Sequence, residues 1–188
     1  MTTTRVTSSN APEHLFWLDI ETTGLNRAFH DIVEIAAVVT TPDLDEVATF
    51  ARVVKPWVGW ENRINDFVLD MHTRTGLLTE IPDGTPDPEV ARQLAEFAGD
   101  HKGAYLAGSG VHFDRAFIEH KWRPSPLAPL HYRHFDVSTL RTFVKLYAPD
   151  AVYEQKNTHR AMDDVQDAIA ELRHYRAMLT NFHPLDVT

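Results

Sequence analysis

Apolar residues fall along this chain in two rhythms. Three short, dense runs come first, at Leu15–Ile20, Val33–Thr40 and Ala48–Val54. Each has the length and the β-branched or aromatic content of a strand. The second run is nearly continuous apolar, which suits a central strand buried on both faces. Asn26 to Asp31 reads as the turn between the first two, and the short links predict an antiparallel meander. The rhythm then changes. Glu89 to Gly99 carries Val90, Leu94, Ala95, Phe97 and Ala98 at helical spacing. A short strand from Ala104 to Ala107 follows, then a Gly-rich turn and a helix from Asp114 to about Lys121. Arg123 to Pro129 holds three prolines and cannot be a helix interior. A further helix starts at Asp136 or Ser138 and ends before Pro149. The last helix runs to about Leu179, with Val165, Ala168, Ile169, Leu172, Tyr175 and Leu179 on one side. The resulting order, β-β-β-α-β-α-β-α, is that of an α/β protein with a mixed sheet.

Polar residues break this pattern in one informative place. The first strand ends in Leu18-Asp19-Ile20-Glu21-Thr22-Thr23-Gly24-Leu25. Side chains two apart on a strand share a face, so Asp19 and Glu21 aim at one point. Like charges held that close repel, and burial makes the repulsion worse. A divalent cation with oxygen ligands relieves it most directly. The ordinary alternative is that each acid pairs with its own Lys or Arg, or lies in solvent.

Two more elements carry acids. Asp114, in Gly108-Ser109-Gly110-Val111-His112-Phe113-Asp114, falls in the first turn of a helix. His159-Arg160-Ala161-Met162-Asp163-Asp164 opens the last helix, with His159 on the preceding loop. Acids at helix starts also serve as plain dipole partners or caps, and Asp163 need do no more than that.

Composition narrows the classes. The chain has 188 residues, 43% of them hydrophobic, enough for one domain with a real core. We expect that domain over 13–180, between an N-terminal tail at 1–12 and a C-terminal tail at 181–188. There is no Cys, hence no disulfide framework, thiolate site or thiol nucleophile. No run is apolar for long enough to cross a membrane, and the Thr/Ser-rich start lacks a signal-peptide core, so a cytoplasmic location is expected. A net charge of −9 argues against a general grip on long nucleic acid, which favours basic faces.

Asp-x-Glu on a first strand, Asp at a helix start mid-chain and His-x-Ala-x-x-Asp before the last long helix form an ordered set. That set resembles the DEDD exonucleases of the His-containing subtype, which cut nucleic acids from the 3′ end. Met71-His72-Thr73-Arg74-Thr75-Gly76-Leu77 and His131-Tyr132-Arg133-His134-Phe135-Asp136-Val137-Ser138-Thr139-Leu140 are similar to stretches of the oligoribonuclease branch, which degrades very short RNAs. The resemblance covers roughly Leu15 to Arg176.

It implies a ribonuclease H-like fold, a mixed sheet flanked by helices, and hydrolysis of phosphodiesters with two divalent cations, Mg²⁺ or Mn²⁺. Asp19, Glu21, Asp114 and Asp164 would be the ligands, hard oxygen donors of the kind such ions prefer, with Asp19 bridging. His159 would be the general base. Leu25 would wedge at the terminal bases, Phe67 would stack on one, and His72 would contact the terminal nucleotide. Tyr132, Arg133, Ser138 and Thr139 would cap the 5′ phosphate of a dinucleotide, the first two reaching in from the second subunit of a homodimer. Taken singly, Leu25 and Phe67 would be ordinary core, and His72 a helix-surface residue. In one place the chain departs from the family. Ser109-Gly110 stands where Asn-Ser is usual, so Gly110 offers the phosphate no hydroxyl, and His112 and Phe113 are also unusual there. Trp57 and Trp60, in a stretch that differs too, read as local packing or a dimer surface.

The leading expectation is thus a 3′-to-5′ exoribonuclease acting on short single-stranded RNA, independent of membranes. The alternatives are a DEDD exonuclease trimming or proofreading longer RNA or DNA, and a catalytically silent nucleic-acid-binding relative.

Overall fold

The first dense apolar run becomes the centre of the structure. Leu15–Thr22 forms β1, with Phe16, Leu18 and Ile20 turned to one face and Leu15 and Trp17 to the other. The computed structural model describes residues 12–180; residues 1–11 of the tail expected at 1–12, the tail expected at 181–188, and the side chain of Leu179 lie outside the described residues. β1 is flanked by β2 (Ile32–Thr40), antiparallel, and by β5 (Tyr105–Gly108), parallel. β3 (Glu46–Lys55) pairs antiparallel with β2, so the expected meander is present. β4 (Thr85–Pro86) lies on the β3 edge and β6 (His134–Asp136) on the β5 edge. The order across the six-stranded mixed sheet is β4-β3-β2-β1-β5-β6. Every residue of β2 is buried, as its apolar sequence demands of an interior strand.

Helices cover both faces. α3 (Asp87–Asp100) and α4 (Val111–Lys121) supply Val90, Leu94, Val111, Phe117 and Ile118 to the face of Phe16 and Leu18. α5 (Val137–Tyr147) and α6 (Ala161–Thr180) supply Val137, Val144, Val165 and Ile169 to the face of Trp17. The phase of β1 sets the direction of its two acids. Asp19 and Glu21 continue the odd-numbered row of Leu15 and Trp17, so they face the side covered by α6.

Three elements differ from the sequence expectation. α1 (Asp66–Arg74) and α2 (Leu77–Glu80) fold a stretch whose helical pattern is weak, since α1 buries only Val68, Met71 and His72. The Asn65 side chain caps α1 by accepting from the Val68 N–H at 2.9 Å. α4 starts at Val111 rather than Asp114. Gly110 takes a left-handed φ of 79° at its N-cap, a conformation costly for other residues, and so turns the chain from β5 into the helix. Trp60 packs with Val33, Leu77 and Ile81, whereas Trp57 is exposed. Among the described residues no helix is long and apolar enough to cross a membrane.

Candidate active site

The acids converge at the C-terminal end of β1. Glu21 is buried and Asp19 partly so. Asp114, buried on α4, reaches the same end of the strand, where its Oδ1 accepts the Ile20 N–H at 3.1 Å. Asp164 arrives from the first turn of α6. Its Oδ1 accepts from the Thr158 N–H at 3.2 Å and the Thr158 hydroxyl at 2.9 Å, which holds the carboxylate against the loop before the helix. Ligand atoms of Glu21, His159 and Asp164 all lie within 4.8 Å of one another.

Their charges are in conflict. Burial, then the carboxylates of Asp114, Glu21 and Asp164, push Asp19 well above the usual carboxylate range. Glu21 is pushed up to about 8 by burial first, with Asp164, Glu34 and Asp114 adding to it. Asp114 is pushed up to about 7, mainly by burial, against the opposing Ile20 hydrogen bond. Burial also raises Asp164, partly offset by its bonds from Thr158. Four acids that desolvate and repel one another are a poor arrangement for a protein alone and a good one for divalent cations. The donor set fits hard, oxygen-seeking ions, with one imidazole beside it.

The loop around His159 is held in an unusual shape. His159 and Asn157 have left-handed φ values of 56° and 49°, conformations that cost energy for residues with a Cβ and collect at functional sites. The neighbouring Arg160 ties the loop down. Its Nη2 donates to Glu34 Oε1 at 2.8 Å and to Glu80 Oε2 at 2.9 Å, and its Nε also reaches Glu34. Glu34 Oε2 accepts the Ala161 N–H at 2.9 Å, satisfying a free donor at the start of α6. No motif in the sequence singles out Glu34 and Arg160. The available signal is a lone acid within the buried run Ile32-Val33-Glu34-Ile35.

Beyond the acids, the loop after β1 is fixed by its own threonines. The Thr22 hydroxyl donates to the Gly24 carbonyl and Thr23 Oγ1 accepts from the Asp31 N–H, both at 2.9 Å. A Cβ on Gly24 would lie 2.6 Å from the His30 ring, so only glycine fits. This loop presents Leu25 with 80% of its surface exposed. Phe67 on α1 is 74% exposed, so neither residue is core. His72 is not the surface residue its position alone implied. It is fully buried, its Nε2 lies 2.9 Å from the Thr22 carbonyl, and burial lowers its pKa. Its visible role is to brace the strand end that carries Glu21.

The predicted phosphate-cap residues divide into two places. Asp136 caps α5, its Oδ1 accepting from the Ser138 N–H, the Ser138 hydroxyl and the Gly110 N–H. Ser138 therefore lies beside the start of α4, with Thr139 exposed next to it. Tyr132 and Arg133 lie instead in a 530 Å³ cleft with His14, Lys102 and Tyr105. His14 and Tyr105 mark the N-terminal ends of β1 and β5, about 20 Å along the sheet from the acids. The rings of Tyr105, His131 and Tyr132 pack in series, and the Arg133 guanidinium covers Tyr132. They do not meet the acidic site of their own chain.

Residues 16–172 match the family model described as "Exonuclease". The chain is 35% identical over 176 residues to an oligoribonuclease of Leifsonia xyli subsp. xyli, covering 89% of this chain and 84% of that protein. It is 37% identical over 174 residues to an oligoribonuclease of Tropheryma whipplei, covering 88% and 92%. In fold it is similar to exonuclease I of Methylocaldum szegediense, with a TM-score of 0.67 at 16% identity over 89% of this chain and 41% of that one. A zinc-bound E. coli exonuclease I complex with ssDNA gives 0.67 at 15% identity, over 91% of this chain and 42% of that one. The chain thus spans about two fifths of those structures, whose likeness bears on fold alone.

Proposed function

The chain belongs to the exonuclease family, within the DEDD superfamily and beside its oligoribonucleases, and from that premise we propose that it removes nucleotides from the 3′ end of short single-stranded RNA by metal-dependent hydrolysis. The observation that carries this is the convergence of Asp19, Glu21, Asp114, Asp164 and His159 from three separated parts of the sequence onto one end of β1.

Two divalent cations, Mg²⁺ or Mn²⁺, would be held by Asp19, Glu21, Asp114 and Asp164, and when bound would supply Lewis acidity and lower the pKa of the attacking water. The protein's own part is positional. Arg160 and Glu34 fix the loop so that the exposed His159 ring stands over the acids, where a neutral imidazole accepts the proton that water releases. Leu25, on the loop after β1, and Phe67, on α1, are apolar and exposed and would offer surfaces to the terminal bases. Base stacking on such surfaces tolerates any sequence. Thr139, exposed beside Ser138 at the start of α5, would offer its hydroxyl to a phosphate.

The homodimer forms part of the same proposal. Phe143, Leu146 and Tyr147 lie exposed along α5, at the helical spacing of one face. Burying that face against a second copy covers the largest apolar side chains that α5 leaves in water. It is also the arrangement that lets Tyr132 and Arg133, far from their own acids, serve another site.

The test is product analysis on 5′-labelled RNA and DNA ladders of two to about twenty nucleotides, with Mg²⁺, Mn²⁺ or EDTA. Stepwise 3′ shortening of the short RNAs, abolished by EDTA, is expected. Undiminished cleavage in EDTA, or cleavage from the 5′ end, would sink the mechanism.

A further inference from the structure

Helix α4 carries Asp114 on its buried side and lines two adjoining clefts, and a third lies between α3 and the end of α4. The first, of 380 Å³, is lined by Leu25, Asn26, Arg27, His112, Phe113 and Ala116, with Phe117 at its base. The second, of 290 Å³, shares Arg27 and Ala116 with the first and continues to His120 and Arg123. The third, of 410 Å³, shares Arg123 and reaches Trp57. The line begins at Leu25, on the loop that follows Glu21, and at Phe113, the sequence neighbour of Asp114.

Its charge is unusual for this chain. Arg27, Arg123, His112 and His120 line the first two clefts, with Glu119 as the acid among them. The Glu119 carboxylate accepts from Arg115 Nε at 2.9 Å, so its charge is already matched. Arg27 and Arg123 have no ion-pair partner among the described residues, while most arginines here are tied to carboxylates. His112 Nδ1 lies 3.8 Å from Asp136 Oδ2, while Ser138 and Gly110 donate to Oδ1 of the same carboxylate. Two unmatched guanidiniums on one face of a chain of net charge −9 form a local anion track. Aromatic surface accompanies them, with Phe113 on the floor of the first cleft and Trp57, 67% exposed, at the far end. Gly110, two residues before His112, faces open space, since a Cβ added there would meet nothing within 4 Å.

We propose that in RNAs longer than a dinucleotide the strand upstream of the cleaved bond passes Gly110 and lies along α4. Its phosphates rest on Arg27 and Arg123, and its bases against Phe113 and Trp57. The eleven residues of α4 span about 16 Å, the rise of roughly five stacked nucleotides at about 3.4 Å each. The track therefore serves short oligonucleotides and ends where longer strands would gain nothing more. This inference rests on the exonuclease reading and adds a second substrate surface to it.

The test uses the full chain with Asp164→Asn, to prevent turnover, and fluorescein-labelled RNAs of two and seven nucleotides. Affinities are measured by anisotropy across a salt series, with and without Arg27→Ala and Arg123→Ala together. Both arginines are exposed, and neither contributes to a core cluster. The double substitution should weaken the seven-nucleotide RNA about tenfold and lower its salt slope by about 1.4, since each single-strand phosphate contact contributes about 0.7. The dinucleotide should change less than twofold. Equal weakening of both RNAs, or none of either, overturns the track. In parallel, the double variant with Asp164 intact is assayed on the dinucleotide, which it should cut at the wild-type rate. If neither it nor the wild type cuts any RNA, the exonuclease reading falls, while the anisotropy still decides on the track.

Discussion

Metal-free protein should lose stability as pH rises from 6.5 to 8. Free carboxyls titrate near 4. Glu21, pushed up to about 8, and Asp114, pushed up to about 7, keep protons in the folded state that the unfolded chain has already released. For a raised acid the penalty is absent below the unfolded pKa and grows until the pH passes the folded one. Between pH 6.5 and 8 this linkage amounts to roughly 1–2 kcal/mol for Glu21 and about 1 kcal/mol for Asp114. Asp19, also raised, acts in the same direction. A loss of about 2–3 kcal/mol in a chain this long lowers the melting temperature by roughly 5–10 °C. His72 and His101, whose pKa values burial lowers, act with the opposite sign, but below about pH 6.5, which is why the window starts there. The assay is thermal melting in EDTA at several pH values across the window. Saturating Mg²⁺ should abolish the fall, because ions that bind only the folded, deprotonated site stabilise it more as pH rises. Glu21→Gln in EDTA should flatten it. A melting temperature in EDTA that is level or rising from pH 6.5 to 8 would refute the reasoning, as would a Glu21→Gln variant with the wild-type slope.

Asp19→Asn should cut turnover at least about a hundredfold, since the lost charge stabilisation amounts to several kcal/mol, while the metal-free variant melts no lower than wild type; turnover within a few-fold of wild type removes Asp19 from the ligand set. His159→Ala should still bind metal, seen by calorimetry, yet turn over poorly. A variant that binds metal and turns over within a few-fold of wild type excludes the general-base role. Arg133→Ala should slow dinucleotide cleavage roughly ten- to a hundredfold, the worth of a charge-assisted phosphate contact, and affect a twenty-residue RNA less. Leu146→Glu should give a monomer in sedimentation; an unchanged wild-type dimer would place the interface elsewhere.

The sheet was legible because its signals are local. Dense apolar runs gave β1, β2 and β3 to within two residues, and helical spacing gave α3 and α6. The acids were legible for the same reason, since two-residue spacing on a strand dictates a shared face. What stayed hidden depends on contacts across the chain. The bonds from Arg160 to Glu34 join residues 126 apart, and no local pattern announces them. α1 was missed because its buried side is only three residues deep. His72 looks like a surface histidine on a polar helix until Thr22 is placed against it. Tyr132 and Arg133 belong to a recognisable stretch, yet which end of the sheet they occupy is a property of β5 and β6, visible only once both strands are in register.

The His-x-Ala-x-x-Asp stretch shows what its spacing does physically. Asp164 must sit inside the first turn of α6 to face β1, and Val165 beside it anchors that turn in the core. Ala161, fully buried at the helix start, packs into the same core, where a larger side chain would push α6 away from Glu21. Its N–H also needs a partner, and Glu34 supplies it from the neighbouring strand. Arg160 pairs with Glu34 and partly offsets the repulsion that Glu34 adds to Glu21. With 160, 161 and 164 all held, His159 is left as the first residue that can face solvent, and both it and Asn157 are left-handed. The strain at Asn157 and His159 is therefore maintained by contacts on both sides of it, Thr158 to Asp164 and Arg160 to Glu34. Arg160→Lys keeps the charge but loses the fork that spans Glu34 and Glu80. It separates positioning from electrostatics: turnover should fall while metal affinity and melting temperature in Mg²⁺ change little. Should metal affinity fall in step with turnover, Arg160 acts on the acids themselves and not on the histidine.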